Sequence, residues 1–440
     1  MKKGKDKVKA VDEYAYQPKR KKYKYGTIVP LIGGMSVGNS IATGHNPDFF
    51  ISYPAFNGND QHIRKYMPEV PYLLLDPETN DFMESTEEMP DINKSIDSET
   101  FEGVDFISAV CPCAGLSMMN ASQKEGSKTA RGSDAAQNQW MYKSAEFVLE
   151  KIRPQVFFGE NAPGLYTSAG KGVVEKLQTI AKEHGYTLSL YKTNTIYHGI
   201  PQKRERTFYF FWKGDSDVPI FTEYRREHPS LVEFLDNIPK SASMNDAFPG
   251  LSEKGAKVNP YINFIKHREG KNWREAVKNI KTAANYLARN KACDEMLEWV
   301  NETTVESEKA REKTIKFLEH MKNKMAMGKG WWDSTPHFFH DEINAVIGRT
   351  ITSTIHPREE RGLSVREVLH LMGLPHDFDI PDVKYYNHAA QNVPTCTARD
   401  VTYEVIKYID GKLKLEPMSF IKQSNSSKRL DTPLKAKKLF

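Results

Sequence analysis

The sequence predicts an α/β fold: a mostly parallel sheet flanked by helices, interrupted late in the chain by a smaller inserted domain. Three observations carry this. Short β-rich apolar runs alternate with helical patterns through the first half. The earliest of them, Thr27-Ile28-Val29-Pro30-Leu31-Ile32, enters a turn at Gly33-Gly34, as a strand opening such a sheet would. From about Asp215 to Asp341 the character then changes to long charged helical stretches between Pro-containing links, and afterwards the earlier style returns.

The elements follow in order. Further short strands are expected at Phe49 to Tyr53, Val104 to Val110, Val156 to Phe158, Leu188 to Tyr191 and Phe208 to Trp212. Trp140, Met141, Ala145, Phe147, Val148 and Ile152 recur at helical spacing. So do Val173, Val174, Leu177, Ile180 and Ala181, in a helix that stops at Gly185, a residue suited to the left-handed backbone beyond a helix end. After the insertion, Arg361 to Met372 reads as a helix with Ser364 as a possible N-cap, Pro375 ends it, and a last helix runs from about Thr395 to Ile409. The resulting division is a flexible basic arm (1–25), a first catalytic segment (26–214), the inserted domain (215–341), a return (342–410) and a basic tail (411–440).

At 440 residues the chain can bury a large core, and two lobes are expected. Its 62 Lys+Arg against 57 Asp+Glu give a formal net charge of +5, which permits a polyanionic partner without requiring one. The positive charge is concentrated at the ends, as in Lys19, Arg20, Lys21, Lys22 and Lys24 and again in Lys435, Lys437 and Lys438. Such arms are solvated, and contact with phosphate or a nuclear address is the functional alternative. Four cysteines are too few for a disulfide framework and fit a reducing compartment. With no signal-peptide pattern and no run long enough to span a bilayer, a cytoplasmic protein with no membrane partner is expected.

Three strings carry chemistry. Asp105 to Val110 and then Cys111-Pro112-Cys113-Ala114-Gly115 places a thiol just beyond a strand, where open α/β sheets bind ligands. Cys113 is there either a small apolar turn residue or, as thiolate, a nucleophile. A zinc half-site is the third reading, but no second cysteine pair completes it, so no metal is expected. Val156-Phe157-Phe158-Gly159-Glu160-Asn161 ends a second strand in an acid; burial would raise the Glu160 pKa, whereas the plainer reading is a cap or ion-pair partner. In Gln202-Lys203-Arg204-Glu205-Arg206, the two arginines alternate onto one face, either to bind a phosphate or base oxygen or merely to line a solvated strand edge.

In this order the three strings resemble the signature motifs of the DNA cytosine-5 methyltransferase family: a Pro-Cys nucleophile loop, a Glu-Asn-Val acid motif and a Gln-x-Arg-x-Arg motif. Asp91-Ile92 is similar to the family's acidic cofactor motif, Arg361 to Phe378 to its late structural motif, and Gln391-Asn392-Val393-Pro394 to its closing motif. Two positions depart from the pattern. The usual Asp-Leu-Phe-x-Gly-x-Gly opening is here Val29-Pro30-Leu31-Ile32-Gly33-Gly34-Met35, and the Gln that commonly follows the nucleophile is Ala114.

The resemblance implies a Rossmann-like methyltransferase domain with an inserted target recognition domain, S-adenosyl-L-methionine as cofactor and double-stranded DNA as partner. It implies Cys113, Glu160, Asn161, Arg204 and Arg206 as catalytic residues. Leu31, Gly33, Gly34, Asp60, Asp91, Ile92, Pro112 and Asn392 would lie on the cofactor side, with Asp60 in the place of the acid that ends the second strand and holds the ribose. An enzyme monomeric on DNA, with a companion restriction endonuclease, is the expected setting. In the insertion, the basic region of Lys271, Arg274, Lys278, Lys281, Arg289 and Lys291 either tracks phosphates or is simply solvated, and Trp331-Trp332 either wedges into a duplex or packs at the domain junction. The rival functions are a tRNA cytosine methyltransferase on the same fold and a DNA-binding relative without activity.

Overall fold

The computed structural model describes residues 13–425 apart from 20–21, 86, 88–91, 98, 113–115, 117–134, 215–216, 240–245, 251, 279, 304–307, 332–334, 339–340, 345–351 and 418–419. Twelve strands are described: β1 (Tyr25–Ile28), β2 (Phe49–Ser52), β3 (Tyr72–Leu74), β4 (Phe106–Val110), β5 (Val156–Asn161), β6 (Tyr186–Asn194), β7 (Gln202–Lys203), β8 (Glu205–Lys213), β9 (Asp217–Pro219), β10 (Ile343–Asn344), β11 (Leu415–Pro417) and β12 (Phe420–Ser424). Eight form one sheet in the order β12-β6-β8-β5-β4-β1-β2-β3. All neighbours in it are parallel except β8, which runs antiparallel to both β5 and β6. Its near-continuous apolar strands are those of a sheet covered on both faces.

The strands run longer than their most apolar residues. Val156 to Phe158 is only the first half of β5, because Glu160 pairs with Val110 and Phe208 on its two sides, and Asn161 with Thr207. Aromatic side chains cross the sheet in register, Phe158 stacking on Phe210 at 5.6 Å and Phe157 on Phe211 at 5.4 Å, and along β8 Phe210 stacks on Trp212 at 5.1 Å. Pairs of this kind add roughly 0.5–1.5 kcal/mol each beyond the area they bury.

Four helices serve the first part of the sheet: α1 (Gly34–Thr43), α2 (Asn57–Tyr66), α3 (Gln139–Phe147), which continues into a π-helical turn at Val148–Ile152, and α4 (Lys171–Glu183), followed by Gly185 at φ 76°. The late helix Thr395–Ile409 packs along α1, and the two come close because a Cβ at Gly38 would collide with Ala398. Thr402 donates to Asn39 at 2.7 Å, and Asn39 to Ser108 on β4 at 2.8 Å, so a buried polar chain fixes both helices to the sheet. The helix expected from Arg361 begins instead at Val365 and ends at Leu371. Ser364 caps it reciprocally with Glu367, and Arg361 is drawn outside it into a two-pronged ion pair with Glu367.

Between the two catalytic segments lie α5 (Leu231–Asp236), α6 (Glu253–Lys257), α7 (Pro260–Glu269), α8 (Trp273–Ala276), α9 (Ala283–Arg289), α10 (Cys293–Glu302) and α11 (Glu308–Ala326). The apolar residues separate into three cores. One lies on the sheet, and a second joins α1, α2, α5 and residues 363–389. The third is mostly helical, running from Ala256 through Met321, with Phe338 and Ile355 added from outside the helices. Residues 217–235 thus pack into the cores of the sheet domain, through Val218 and Phe221 in one and Leu231 and Leu235 in the other.

Both ends of the described chain depart from the expectation of solvated arms. Tyr16 and Tyr23 donate their hydroxyls to Asp410 at 2.7 and 2.9 Å, and the Lys19 amide reaches the same carboxylate at 3.1 Å, which fastens residues expected in a flexible arm. Residues 411–425, expected within the tail, carry β11 and β12; the latter extends the sheet in parallel beside β6. No helix among the described residues is long and apolar enough to cross a membrane.

Candidate active site

The carboxyl ends of β4, β5, β1 and β2 and the start of β8 meet at one edge of the sheet, the side where open α/β sheets place ligands. β4 ends at Val110. Cys111, next in the chain, is buried, with its thiol 3.7 Å from the hydroxyls of Ser144 and Tyr209, and burial pushes its pKa up to about 11. Cys111 is therefore a packing residue with almost no thiolate near neutrality. Pro112 is half-buried at the strand end, while Cys113 and Ala114 lie outside the described residues. The far side of this loop is anchored: Leu116 is buried, and its carbonyl sits where a side chain on Gly164 would be, so the loop and the turn after β5 meet backbone to backbone.

Glu160 is the penultimate residue of β5 and only 3% exposed. Its Oε1 lies 2.7 Å from Nε of Arg206, which β8 presents from the neighbouring strand. Burial raises the Glu160 pKa, against the opposing pull of Arg206 and then Arg204. The pair is close but not aligned as a hydrogen bond, leaving that carboxylate oxygen and that guanidinium nitrogen unsatisfied. Asn161 shapes the following turn, accepting from the Ala162 amide at 2.8 Å and donating to the Met141 sulfur at 3.2 Å.

Arg204, expected to orient the base together with Arg206, is held by the late part of the chain and adds its charge to the surroundings of Glu160. It precedes β8, is 2% exposed, and donates from one terminal nitrogen to the carbonyls of Ala390 and Asn392, each at 2.9 Å. Gln202 likewise turns to the late part of the chain and donates to the Leu371 carbonyl at 2.5 Å. Of the Gln-x-Arg-x-Arg string, only Arg206 is seen paired with the acid.

On the cofactor side the turn after β1 is unusual. Val29 and Leu31 have φ of 53° and 51°, a left-handed backbone that costs a β-branched or bulky residue energy, and Gly33 follows at 104°. Asn392 caps α1, its Oδ1 accepting from the Gly34 amide at 2.7 Å, and a Cβ at Gly34 would overlap Asn392 and the Val393 carbonyl. The Asn392 side-chain nitrogen is buried without a partner.

Asp60 does not end the second strand; it sits on α2, fully buried, and accepts from Ser52 at 2.5 Å and Tyr72 at 2.8 Å. Burial lifts its pKa to about 7, opposed by these hydroxyls and the Leu31 amide. Its carboxyl group therefore supports the turn from behind. Asp91 lies outside the described residues; Ile92 is half-buried, and its neighbour Asn93 exchanges hydrogen bonds with the backbone of Leu74 at 2.8 and 2.9 Å, tying the segment to the end of β3.

Sequence reasoning missed Asn93, Gln202 and the Leu116–Gly164 contact. It also missed a buried charge cluster in which Asp400 receives His198 at 2.9 Å and Arg226 at 2.8 and 3.0 Å, with Arg399 at 2.9 Å. Aspartate, histidine and arginine scattered over two hundred positions leave no local signal.

Comparison with known proteins agrees with this geometry. The family model for C-5 cytosine-specific DNA methylase matches residues 79–410. The type II methyltransferase M.Bpa9945I of Bacillus paralicheniformis is 24% identical over 364 residues, covering 74% of this chain and 76% of the relative. M.AgeI of Thalassovita gelatinovora is 31% identical over 159 residues, 36% of this chain and 32% of that protein. A solved E. coli structure assigned as a prophage-encoded DNA modification methyltransferase shares the fold, with a TM-score of 0.52 at 16% identity over 88% of this chain and 100% of that one. The chain belongs to the C-5 cytosine-specific DNA methylase family and is a DNA cytosine-5 methyltransferase.

Proposed function

We propose that the protein methylates carbon 5 of a cytosine flipped out of double-stranded DNA, with S-adenosyl-L-methionine as methyl donor and Cys113 as covalent nucleophile. The observation that carries the reading is the buried Glu160–Arg206 pair at 2.7 Å, an acid whose pKa burial raises, set beside a fixed cation. Cytosine carbon 5 is a weak nucleophile and is shielded inside a duplex, so the base must leave the stack and be activated. The Cys113 thiolate adds to carbon 6. Protonated Glu160 donates to ring nitrogen 3, the electron pair released builds at carbon 5, and Arg206 balances negative charge at the carbonyl oxygen. Asn161 holds the turn that aims the acid. Loss of the carbon 5 proton to a base then expels the thiolate.

The cofactor side supports the same reading. The buried, unpartnered Asn392 nitrogen offers a donor beside the turn that is left-handed at Leu31 and Gly33 and is held at Gly34 by the Asn392 side chain. By resemblance, Asp91, Ile92 and Pro112 belong to the same cofactor side. When bound, S-adenosyl-L-methionine supplies an electrophilic sulfonium methyl group. Arg204, placed at the base by resemblance, adds its charge beside Glu160 while donating to the Ala390 and Asn392 carbonyls. The helical unit with its own core, 252–356, is the target recognition domain. The type II names of the relatives support a setting beside a restriction endonuclease; a monomer acting on DNA is part of the same proposal.

The test is mass spectrometry of nucleosides from duplex DNA and, in parallel, tRNA, each incubated with labelled S-adenosyl-L-methionine and either the wild type or Cys113→Ala. Labelled 5-methylcytosine from DNA with the wild type alone is the expected result. Turnover by the variant would remove Cys113 as nucleophile, and label in tRNA alone would move the substrate.

A further inference from the structure

We infer that Arg204 is a positioning residue that couples the cofactor turn to the strand holding the base. The connection is a short chain of buried hydrogen bonds. Arg204 donates to the Ala390 and Asn392 carbonyls, each at 2.9 Å, and the Asn392 side-chain oxygen accepts from the Gly34 amide at 2.7 Å. Arg204 and Asn392 are both 2% exposed. Two residues beyond Arg204, Arg206 reaches Glu160. One residue, Asn392, thus meets both ends: its carbonyl holds the base-side arginine, its side-chain oxygen holds the first turn of α1, and its side-chain nitrogen is left over for a ligand.

The geometry explains why the position requires arginine. A guanidinium is planar, permanently charged and weakly hydrated, and here one terminal nitrogen serves both carbonyls in a buried site, whereas the strongly hydrated ammonium of lysine on its flexible stem is less suited to it. Asn392 itself stands in a tight turn between the Tyr386–Ala390 and Thr395–Ile409 helices, its amide donating to Ala389 at 3.2 Å, so a ligand that draws on its side chain moves the carbonyl that Arg204 grips. Ligand occupancy on the cofactor side therefore stiffens the Gln202-to-Phe208 segment before any base arrives. This rests on the reading of Asn392 as a cofactor-side residue.

Hydrogen exchange read by mass spectrometry tests it without DNA or turnover, using S-adenosyl-L-homocysteine as the probe. In the wild type, the probe should slow exchange both in the 29–43 segment and in 202–208. In Arg204→Lys, slowing should persist at 29–43 and be lost at 202–208, whereas a merely structural role would raise exchange throughout, with and without the probe. Should that variant fail to fold, Asn392→Ala at saturating probe cuts the chain from the other end and should lose the same distal response. Asn392→Asp, which keeps the acceptor for Gly34 but loses the donor nitrogen, should keep the protection of the first turn of α1 seen without probe and lose the distal response. Distal slowing that survives in Arg204→Lys or Asn392→Ala, or that is absent from a wild type responding at 29–43, overturns the coupling. A wild type that responds in neither segment overturns the cofactor reading as well.

Discussion

The two halves of the site sit on one sheet edge but are built from different materials. On the base side, side chains do the chemistry: Glu160 and Arg206 face each other from adjacent strands at 2.7 Å. On the cofactor side, backbone does the shaping, in a turn with left-handed Val29 and Leu31, the Gly34 amide capped by Asn392, and Asp60 bracing from behind. A functional group that must donate a proton or hold a charge restricts residue identity, whereas a backbone amide can be presented by many sequences. This contrast accounts for an opening motif that departs from the family pattern while the Glu160 and Arg206 motifs keep to it.

The largest expected effect tests the side-chain half. Glu160→Gln should lower the single-turnover rate by about 10²–10⁴, the usual worth of a positioned general acid, because an amide cannot deliver the proton to the ring nitrogen. Burial raises the Glu160 pKa, so the wild-type rate should fall as pH rises through that raised value and the acid ionises, and the fall should vanish from the residual rate of the variant. A single-turnover rate unchanged in Glu160→Gln would take the acid role from it.

The same contrast explains what the sequence disclosed. Glu160 could be placed because a charged residue closing an apolar run is visible locally, and the Ser364 cap because its partner Glu367 stands three residues on. The anchoring of Arg204 could not be read because the carbonyls that hold it are 186 and 188 residues away, and backbone carbonyls carry no signature. Asp60 was expected to hold the ribose because an acid near the second strand fits the pattern; that Ser52 and Tyr72 both donate to one of its oxygens becomes apparent only when β2 and β3 pair. β12 was hidden in a lysine-rich tail, since an edge strand of five residues needs a neighbour more than a pattern.

A second substitution sharpens the backbone half. Gly34→Ala places a methyl group where Asn392 and the Val393 carbonyl already lie, and both are fixed, one by its bond to Gly34 and the other by its chain. Overpacking of this kind costs roughly 1–3 kcal/mol. The expected outcome is weaker S-adenosyl-L-homocysteine binding by calorimetry, on the order of tenfold, at one such cost of about 1.4 kcal/mol, with kcat at saturating cofactor little changed. Loss of kcat with unaltered cofactor affinity would place the turn's main influence on the base side and dissolve the contrast.

The smallest effect concerns Asp60, and it separates bracing from ligand binding. Its folded pKa, about 7, stands above the ordinary carboxylate value of 3.8. Between these values the folded protein holds a proton that the unfolded chain has released, so this residue's contribution to stability is full below pH 4 and declines as pH rises through 7. Asp60→Asn, which keeps an acceptor for Ser52 and Tyr72 and never ionises, should flatten that part of the melting temperature's pH dependence, by a few degrees across the window. If Asp60 only braces, cofactor affinity at pH 6 should be nearly unchanged in the variant, because the wild-type side chain is then mostly protonated and equally neutral. A marked loss of affinity there, with the melting profile unaltered, would return Asp60 to the ribose and show that this corner of the cofactor site also works through a side chain.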